Sequence, residues 1–389
     1  MRDVAVLGVG ITQFGEVWES SLRDLGIQAG FEAMRDARIR SDEIDALFVG
    51  NMAAGRLIEQ THIGALIADH AGLAGRKVPA VTIECADASG AAAFHHAYLS
   101  VASGLHDIVV VGGAEKMTDL PDEEVTEIMA TSLDQQWEAF FGATLFSEYA
   151  MIARRHMHEY GTTREQMAAV AVKNHAHGAL NPKAQFQRPI KLETVLGASA
   201  VAEPLGVLDC APISDGAAAL VLCPADRARK VSDTYVKVAA SAQAGDTLAM
   251  HSRDSLCAFE ATRVAMEKAL KLAGKSRKEI GLAEVHDVTT ISEILAVEDL
   301  GFVKKGEGGH AAESGMTALG GELPINTSGG LKARGHPLGA TGIAQVIELV
   351  EQLKGKAGKR QVKDARVGLA HNIGGCGATA FVHILEAVR

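Results

Sequence analysis

Two stretches decide how this chain is read: AMRDARIRSDEIDALFVG at residues 33–50 and ALKLAGKSRKEIGLAEVH at residues 269–286. At an offset of 236, Ala33 meets Ala269, Ala37 meets Ala273, Glu43-Ile44 meets Glu279-Ile280 and Val49 meets Val285. In each, an apolar pattern at helical spacing gives way to a one-turn segment and then to a short apolar strand. The closing pieces agree as well, DGAAALVLC at 215–223 against CGATAFVHI at 376–384. Openings and closings that match in the same order mark a duplicated α/β unit rather than a short-period solenoid.

Outward from the first repeat, Val4–Val9 is β-branched and ends among glycines, as a core strand does. Leu22–Ala37 has helical spacing, Ser41–Ile44 reads as a single helical turn, and Ala46–Val49 reads as a second strand. Val81–Cys85, the Ala-rich Ala88–Ala102 and Ile108–Val111 give a second β-α-β order. Such alternation predicts a layered sheet of parallel or mixed strands. From about 116 to 205 the character changes. Charges, Met and His gather there with Trp137, Phe140, Phe141, Phe146 and Tyr149, and Tyr149–His158 and Arg164–Ala176 read as amphipathic helices. So long an excursion between strands is expected to be a functional insertion.

Composition removes several functions. The 389 residues hold 41 glycines and only 4% aromatics, which suits a close-packed α/β enzyme better than a stacking-dependent binder of sugars or nucleic acid. A net charge of −10 repels polyphosphate backbones. Five cysteines with no CxxC pair argue against a disulfide framework and against a zinc site within this chain. The N-terminal apolar run is too short for a secretion signal and no run of about 18 apolar residues exists, so a cytoplasmic location without membrane contact is expected.

Four places carry chemistry. Cys85, in ECADASGAAAF, ends a predicted strand just before a Gly/Ala-rich helix, where the helix N-terminus favours a thiolate. His336, in GGLKARGHPLGATG, sits between Gly335 and Gly339 in a loop able to aim an imidazole, the usual base for a thiol. His286 follows the predicted strand Leu282–Val285, at the strand end where ligands of such sheets bind, and is a candidate donor to a thioester oxygen. Cys376 follows Gly374-Gly375, whose bare N–H groups suit an oxyanion. Each has an unremarkable alternative: a buried thiol, a glycine turn, a satisfied core histidine, a small residue opening a strand. Cys210, Cys223 and Cys257 have no comparable context.

Together, Cys85 before ASG, the block NTSGGLKARGHPLGATG and the strand NIGGCGATAFVHI resemble the thiolase family in content and order over essentially the whole chain. The pair His286-Asp287 is similar to the archaeal and sterol-carrier-protein branch. The resemblance implies two duplicated βαβαβαββ halves in a five-layered α-β-α-β-α core. The halves are expected at residues 1–230 and 231–389, the first carrying the loop domain at about 116–205. It implies a homodimer or higher oligomer, no permanent cofactor, and coenzyme A as a substrate. A small zinc-ribbon/OB-fold protein and a hydroxymethylglutaryl-CoA synthase are the partners it suggests.

The implied reaction is cleavage of a 3-oxoacyl-CoA, or condensation of two acyl-CoAs, acetyl-CoA to acetoacetyl-CoA above all. His336 would deprotonate Cys85 to form an acyl-Cys85. His286 and His336 would hold one thioester oxygen, and the N–H groups of Cys85 and Gly374 the other. Lys332, Arg334 and Arg188 are the candidates for the CoA diphosphate. One departure matters: the branch places a second acid/base cysteine where this chain has Val288, and the standard family places it where this chain has Asn372. Either Cys376 or a histidine takes that role, or the chemistry differs. The alternatives are a retro-aldolase of the same fold, a 3-oxoacyl-CoA thiolase for a different substrate, and a non-catalytic acyl-CoA-binding scaffold subunit.

Overall fold

The computed structural model describes residues 1–232 and 234–388. The first half runs β1 (Val4–Ile11), α1 (Leu22–Ala37), β2 (Ala46–Gly50), α2 (Ala54–Leu57), α3 (Ile63–His70), β3 (Ala80–Ile83), α4 (Ser89–Ser103) and β4 (Val109–Glu115). An excursion follows: α5 (Asp122–Met129), α6 (Leu145–Tyr160), α7 (Arg164–Gly178), α8 (Leu192–Leu196) and the small hairpin β5 (Ala200–Ala202) with β6 (Leu205–Gly206). The chain then returns through β7 (Gly216–Pro224) and α9 (Ala225–Val231). The second half runs β8 (Tyr235–Gly245), α10 (Glu260–Ala273), β9 (Leu282–Glu284), α11 (Thr290–Asp299), α12 (Gly308–Glu313), α13 (Gly330–Arg334), α14 (Leu338–Leu353), β10 (Val367–Gly374) and β11 (Thr379–Val388).

The repeat read from the sequence is visible in space. Both α1 and α10 end at the matched alanines, and the 3-10 turns Ser41–Glu43 and Arg277–Glu279 keep the same offset. Helix α1 starts at a reciprocal cap: Ser21 Oγ accepts from Asp24 N (3.2 Å) and the Asp24 carboxylate accepts from Ser21 N (3.1 Å). Such a box satisfies two of the donors that a helix start leaves free.

The strands form one sheet in the order β3-β2-β4-β7-β1-β8-β11-β10-β9. The halves join edge to edge at its middle, where Val4–Val6 of β1 pairs antiparallel with Val238–Val236 of β8. Strand β2 is parallel to β3 and β4, and β9 is parallel to β10. The second-half counterpart of β3 has shrunk to one parallel bridge between Ile325 and Ala283. One core packs α1 on the first half of the sheet, a second packs α4 and α14 between the two halves, and a third packs α10 and the excursion on the second. That is the α-β-α-β-α layering expected, with the two sheets fused along one edge.

The central helices fix the site because they touch backbone to backbone. A Cβ on Gly90 of α4 would stand 2.5 Å from the Gly339 carbonyl, and one on Gly339 would stand 2.5 Å from the Gly50 carbonyl. Only glycine permits such an approach. The loops entering α4 and α14, one from each half, are thereby forced together.

Two local expectations fail. Strand β3 stops at Ile83, two residues before Cys85, and Cys376 lies in the turn between β10 and β11 rather than opening a strand.

Candidate active site

The two histidines converge, but on a residue the sequence reading passed over. His286 Nε2 stands 3.2 Å and His336 Nε2 3.6 Å from Asp87 Oδ2. The His286 and His336 rings meet edge to face, 5.4 Å between centroids. All three side chains are buried. The other Asp87 oxygen, Oδ1, accepts from the Gly375 N–H at 2.6 Å. The signal for Asp87 was present in ECADASG: an acid two residues from the singled-out thiol, in the same loop before a helix.

Each imidazole is locked by its other nitrogen. His336 Nδ1 lies 2.7 Å from Thr341 Oγ1, whose own proton goes to the Pro337 carbonyl at 3.0 Å. Thr341 must therefore accept, so Nδ1 carries the hydrogen and Nε2 presents a lone pair. For His286 the lock is reversed. Asn372 Nδ2 donates to His286 Nδ1 and to Gln345 Oε1, both at 3.0 Å. Gln345 is oriented in turn by its donation to the His371 carbonyl at 3.0 Å. His286 Nδ1 is thus an acceptor and Nε2 carries the hydrogen. Asn372, at the position where the standard family has its acid/base cysteine, here sets a tautomer.

The three atoms lie within 4.8 Å of one another, at the spacing of ligands around a cation. The tautomers argue against a metal: His286 presents an N–H, and freeing that nitrogen would make an imidazolate.

The surrounding chain holds these loops in place. The His336 N–H donates to Ser214 Oγ (2.9 Å), and Gly339 N donates to Glu115 Oε2 (2.9 Å). Asp287, next to His286, accepts from Leu331 N (2.7 Å) and Lys332 N (3.2 Å), capping α13. Burial lowers His336 below its ordinary value, which favours the neutral imidazole. Burial alone would raise Asp87, yet the two flanking imidazoles outweigh it and hold the carboxyl well below the usual range.

The other expected residues fall elsewhere. Cys85 is half-buried, and its thiol lies against Thr379 rather than either imidazole. Burial and the Glu84 charge raise its pKa, against the expected lowering by the helix N-terminus. Cys85 lies four positions before Ser89, the first residue of α4. Its N–H, expected in an oxyanion hole, donates to Ser89 Oγ at 2.9 Å. Gly374 packs on the same loop: a Cβ there would stand 2.7 Å from the Cys85 carbonyl. The N–H aimed at the loop from the glycine turn is that of Gly375.

Cys376 is buried with its thiol against Glu148, and burial pushes its pKa well up. Lys332 is 3% exposed and stacks over Phe186 at 5.5 Å. Arg334 is 1% exposed and pairs with Glu284 at 3.5 Å and Ser328 Oγ at 3.2 Å. Both cations are enclosed by protein. Arg188 is exposed.

Comparison with known proteins agrees with this architecture. Residues 4–226 match the model of the thiolase N-terminal domain, and residues 242–387 that of a thiolase C-terminal domain-like unit. The chain belongs to the thiolase family. It is 56% identical to an acetyl-CoA acetyltransferase of Methanothermobacter thermautotrophicus, over 99% of this chain and 100% of that protein. A protein of the same description from Methanocaldococcus jannaschii is 47% identical over the full length of both. Among solved structures, an Ltp2-ChsH2(DUF35) aldolase superposes with a TM-score of 0.84 at 27% identity, covering 100% of this chain and 98% of that one. No helix of the described residues is long and apolar enough to cross a membrane.

Proposed function

We propose that this thiolase-family chain is an acetyl-CoA C-acyltransferase: it cleaves 3-oxoacyl-CoA with free CoA, or condenses two acyl-CoAs, through an acyl-Cys85. The observation that carries the reading is the meeting of the two loops, Cys85–Ala88 before α4 and His336 before α14, forced by the backbone contact at Gly90 and Gly339. The kinship with acetyl-CoA acetyltransferases along the whole chain supports it. In this reading His336 Nε2, a lone pair held by Thr341, takes the Cys85 proton once substrate displaces Asp87. His286 Nε2–H donates to the thioester oxygen. Coenzyme A enters as a substrate, with Arg188 as the exposed cation near the phosphates.

A dimer, a small zinc-ribbon/OB-fold partner and a hydroxymethylglutaryl-CoA synthase are part of the same proposal. The two components in the name of the Ltp2-ChsH2(DUF35) aldolase support a partner protein. A purely scaffolding role is the weaker alternative. It would leave Asp87 Oδ2, His286 Nε2 and His336 Nε2 buried without partners, at ~1–3 kcal/mol each, for no purpose.

The test is peptide mass spectrometry after mixing the protein with acetyl-CoA and with acetoacetyl-CoA. An acetyl adduct on Cys85, absent from Cys85→Ala, is the expected result. An adduct on no residue with either thioester refutes the acyl-Cys85 route.

A further inference from the structure

Asp87 Oδ2, His286 Nε2 and His336 Nε2 are buried, and none has a hydrogen-bond partner among the described residues. Their approaches of 3.2 and 3.6 Å lack the alignment of hydrogen bonds, so all three point at one unfilled need. The tautomers set what fills it. His286 offers a proton, fixed by Asn372. His336 offers a lone pair, fixed by Thr341. Asp87 offers the lone pairs of a carboxylate. One donor opposite two acceptors is the complement of a hydroxyl group, whose oxygen accepts from His286 and whose proton goes to Asp87 or His336. A ketone oxygen would use the donor and set its own lone pairs against the carboxylate.

We propose that this focus binds and deprotonates the β-hydroxyl of a 3-hydroxyacyl thioester, giving the cleft a retro-aldol activity. Asp87 with His336 is the proton acceptor, and His286 is the donor to the reacting oxygen. This goes beyond the acyl-transfer reading and does not rest on it, since no acyl-enzyme and no free CoA take part. The hydroxyl proton passes to the Asp87–His336 pair and the Cβ–O bond becomes a carbonyl. The Cα–Cβ bond breaks, and its electron pair goes to Cα as the thioester enolate. The proton held by the pair returns to Cα. A 3-hydroxyacyl-CoA yields a shorter acyl-CoA and an aldehyde or ketone, with nothing oxidised or reduced. The Asp87 charge, 3.6 Å away, holds the transferred proton on the His336 imidazole until it is returned.

Two measurements on the full chain test this. In titration calorimetry, the wild type is expected to bind 3-hydroxybutyryl-CoA at least tenfold more tightly than acetoacetyl-CoA, and Asp87→Asn to lose that preference. A site built for a hydroxyl rejects the analogue lacking it. In deuterium oxide without free CoA, a panel of 3-hydroxyacyl-CoAs with small, branched and aromatic β-substituents is followed by mass spectrometry. Carbonyl product and an acyl-CoA carrying one deuteron at Cα are expected, with kcat falling at least a hundredfold in Asp87→Asn. Thiolysis needs added CoA and this reaction does not, so the two activities fail separately. Equal or tighter wild-type binding of acetoacetyl-CoA overturns the proposal, and so does the absence of CoA-independent product from the whole panel. The wild-type comparison decides even if Asp87→Asn does not fold.

Discussion

Replacing Thr341 by Val tests whether the His336 tautomer is what the site works with. The exchange keeps the shape of a fully buried side chain and removes one oxygen. That oxygen accepts from His336 Nδ1 at 2.7 Å and returns its proton to the Pro337 carbonyl at 3.0 Å. Without it a buried N–H loses its acceptor, at a cost of about 1–3 kcal/mol. The imidazole can then move its hydrogen to Nε2, the nitrogen that faces Asp87. If the lost energy is the preference for the working tautomer, kcat falls roughly 5- to 150-fold, because each 1.36 kcal/mol is tenfold. KM should change little, since neither atom meets the CoA moiety. The assay is steady-state thiolysis of acetoacetyl-CoA, with nitrogen chemical shifts of His336 reporting the tautomer. A variant that shows the shifted tautomer and retains wild-type kcat would mean that turnover does not depend on the His336 tautomer.

The thiol of Cys85 is raised by burial and by the Glu84 charge. Its alkylation by iodoacetamide in the resting protein should therefore climb with pH through and beyond 9, the ordinary thiol value; rapid labelling at pH 7, read by peptide mass spectrometry, would contradict this. Lys332 carries a second pH signature, because burial lowers its pKa from 10.5 to about 8. The unfolded chain then binds more protons than the folded one between those values, so stability is lower below pH 8 and is recovered as pH rises toward 10.5. The two pKa values correspond to about 3 kcal/mol. Lys332→Met should remove that dependence and stabilise the protein at pH 7, as read by urea unfolding at both ends of the window; unchanged or lower stability at pH 7 would count against a desolvated lysine.

Much of the fold lay open in the sequence because it rests on periodicity. Helix α1 was expected at Leu22–Ala37 and is found there, and the 236-residue offset places the second turn and β9. The GHP loop was legible for the same reason: Gly339 is required by a backbone contact that no other residue allows. What stayed hidden depends on orientation. Ala86 adopts a left-handed conformation (φ 50°) in the loop that carries both Cys85 and Asp87. Spacing alone could not say which of the two meets the imidazoles across the duplication. Lys332 and Arg334 resembled a phosphate-binding pair next to glycines. They sit on a five-residue helix enclosed by both halves, a burial that a charged sequence does not announce. The edge-to-edge joining of the sheets at Val4–Val6 was equally silent, since one apolar strand reads like another.

This cleft makes or breaks a carbon–carbon bond beside a CoA thioester. The direct measurement is the rate of acetoacetyl-CoA loss with free CoA present, for the wild type beside His336→Ala. Two acetyl-CoA should form per acetoacetyl-CoA consumed by the wild type, with at least a hundredfold slower turnover when the imidazole is gone. Wild-type protein that leaves acetoacetyl-CoA intact, or a variant as fast as the wild type, would contradict it.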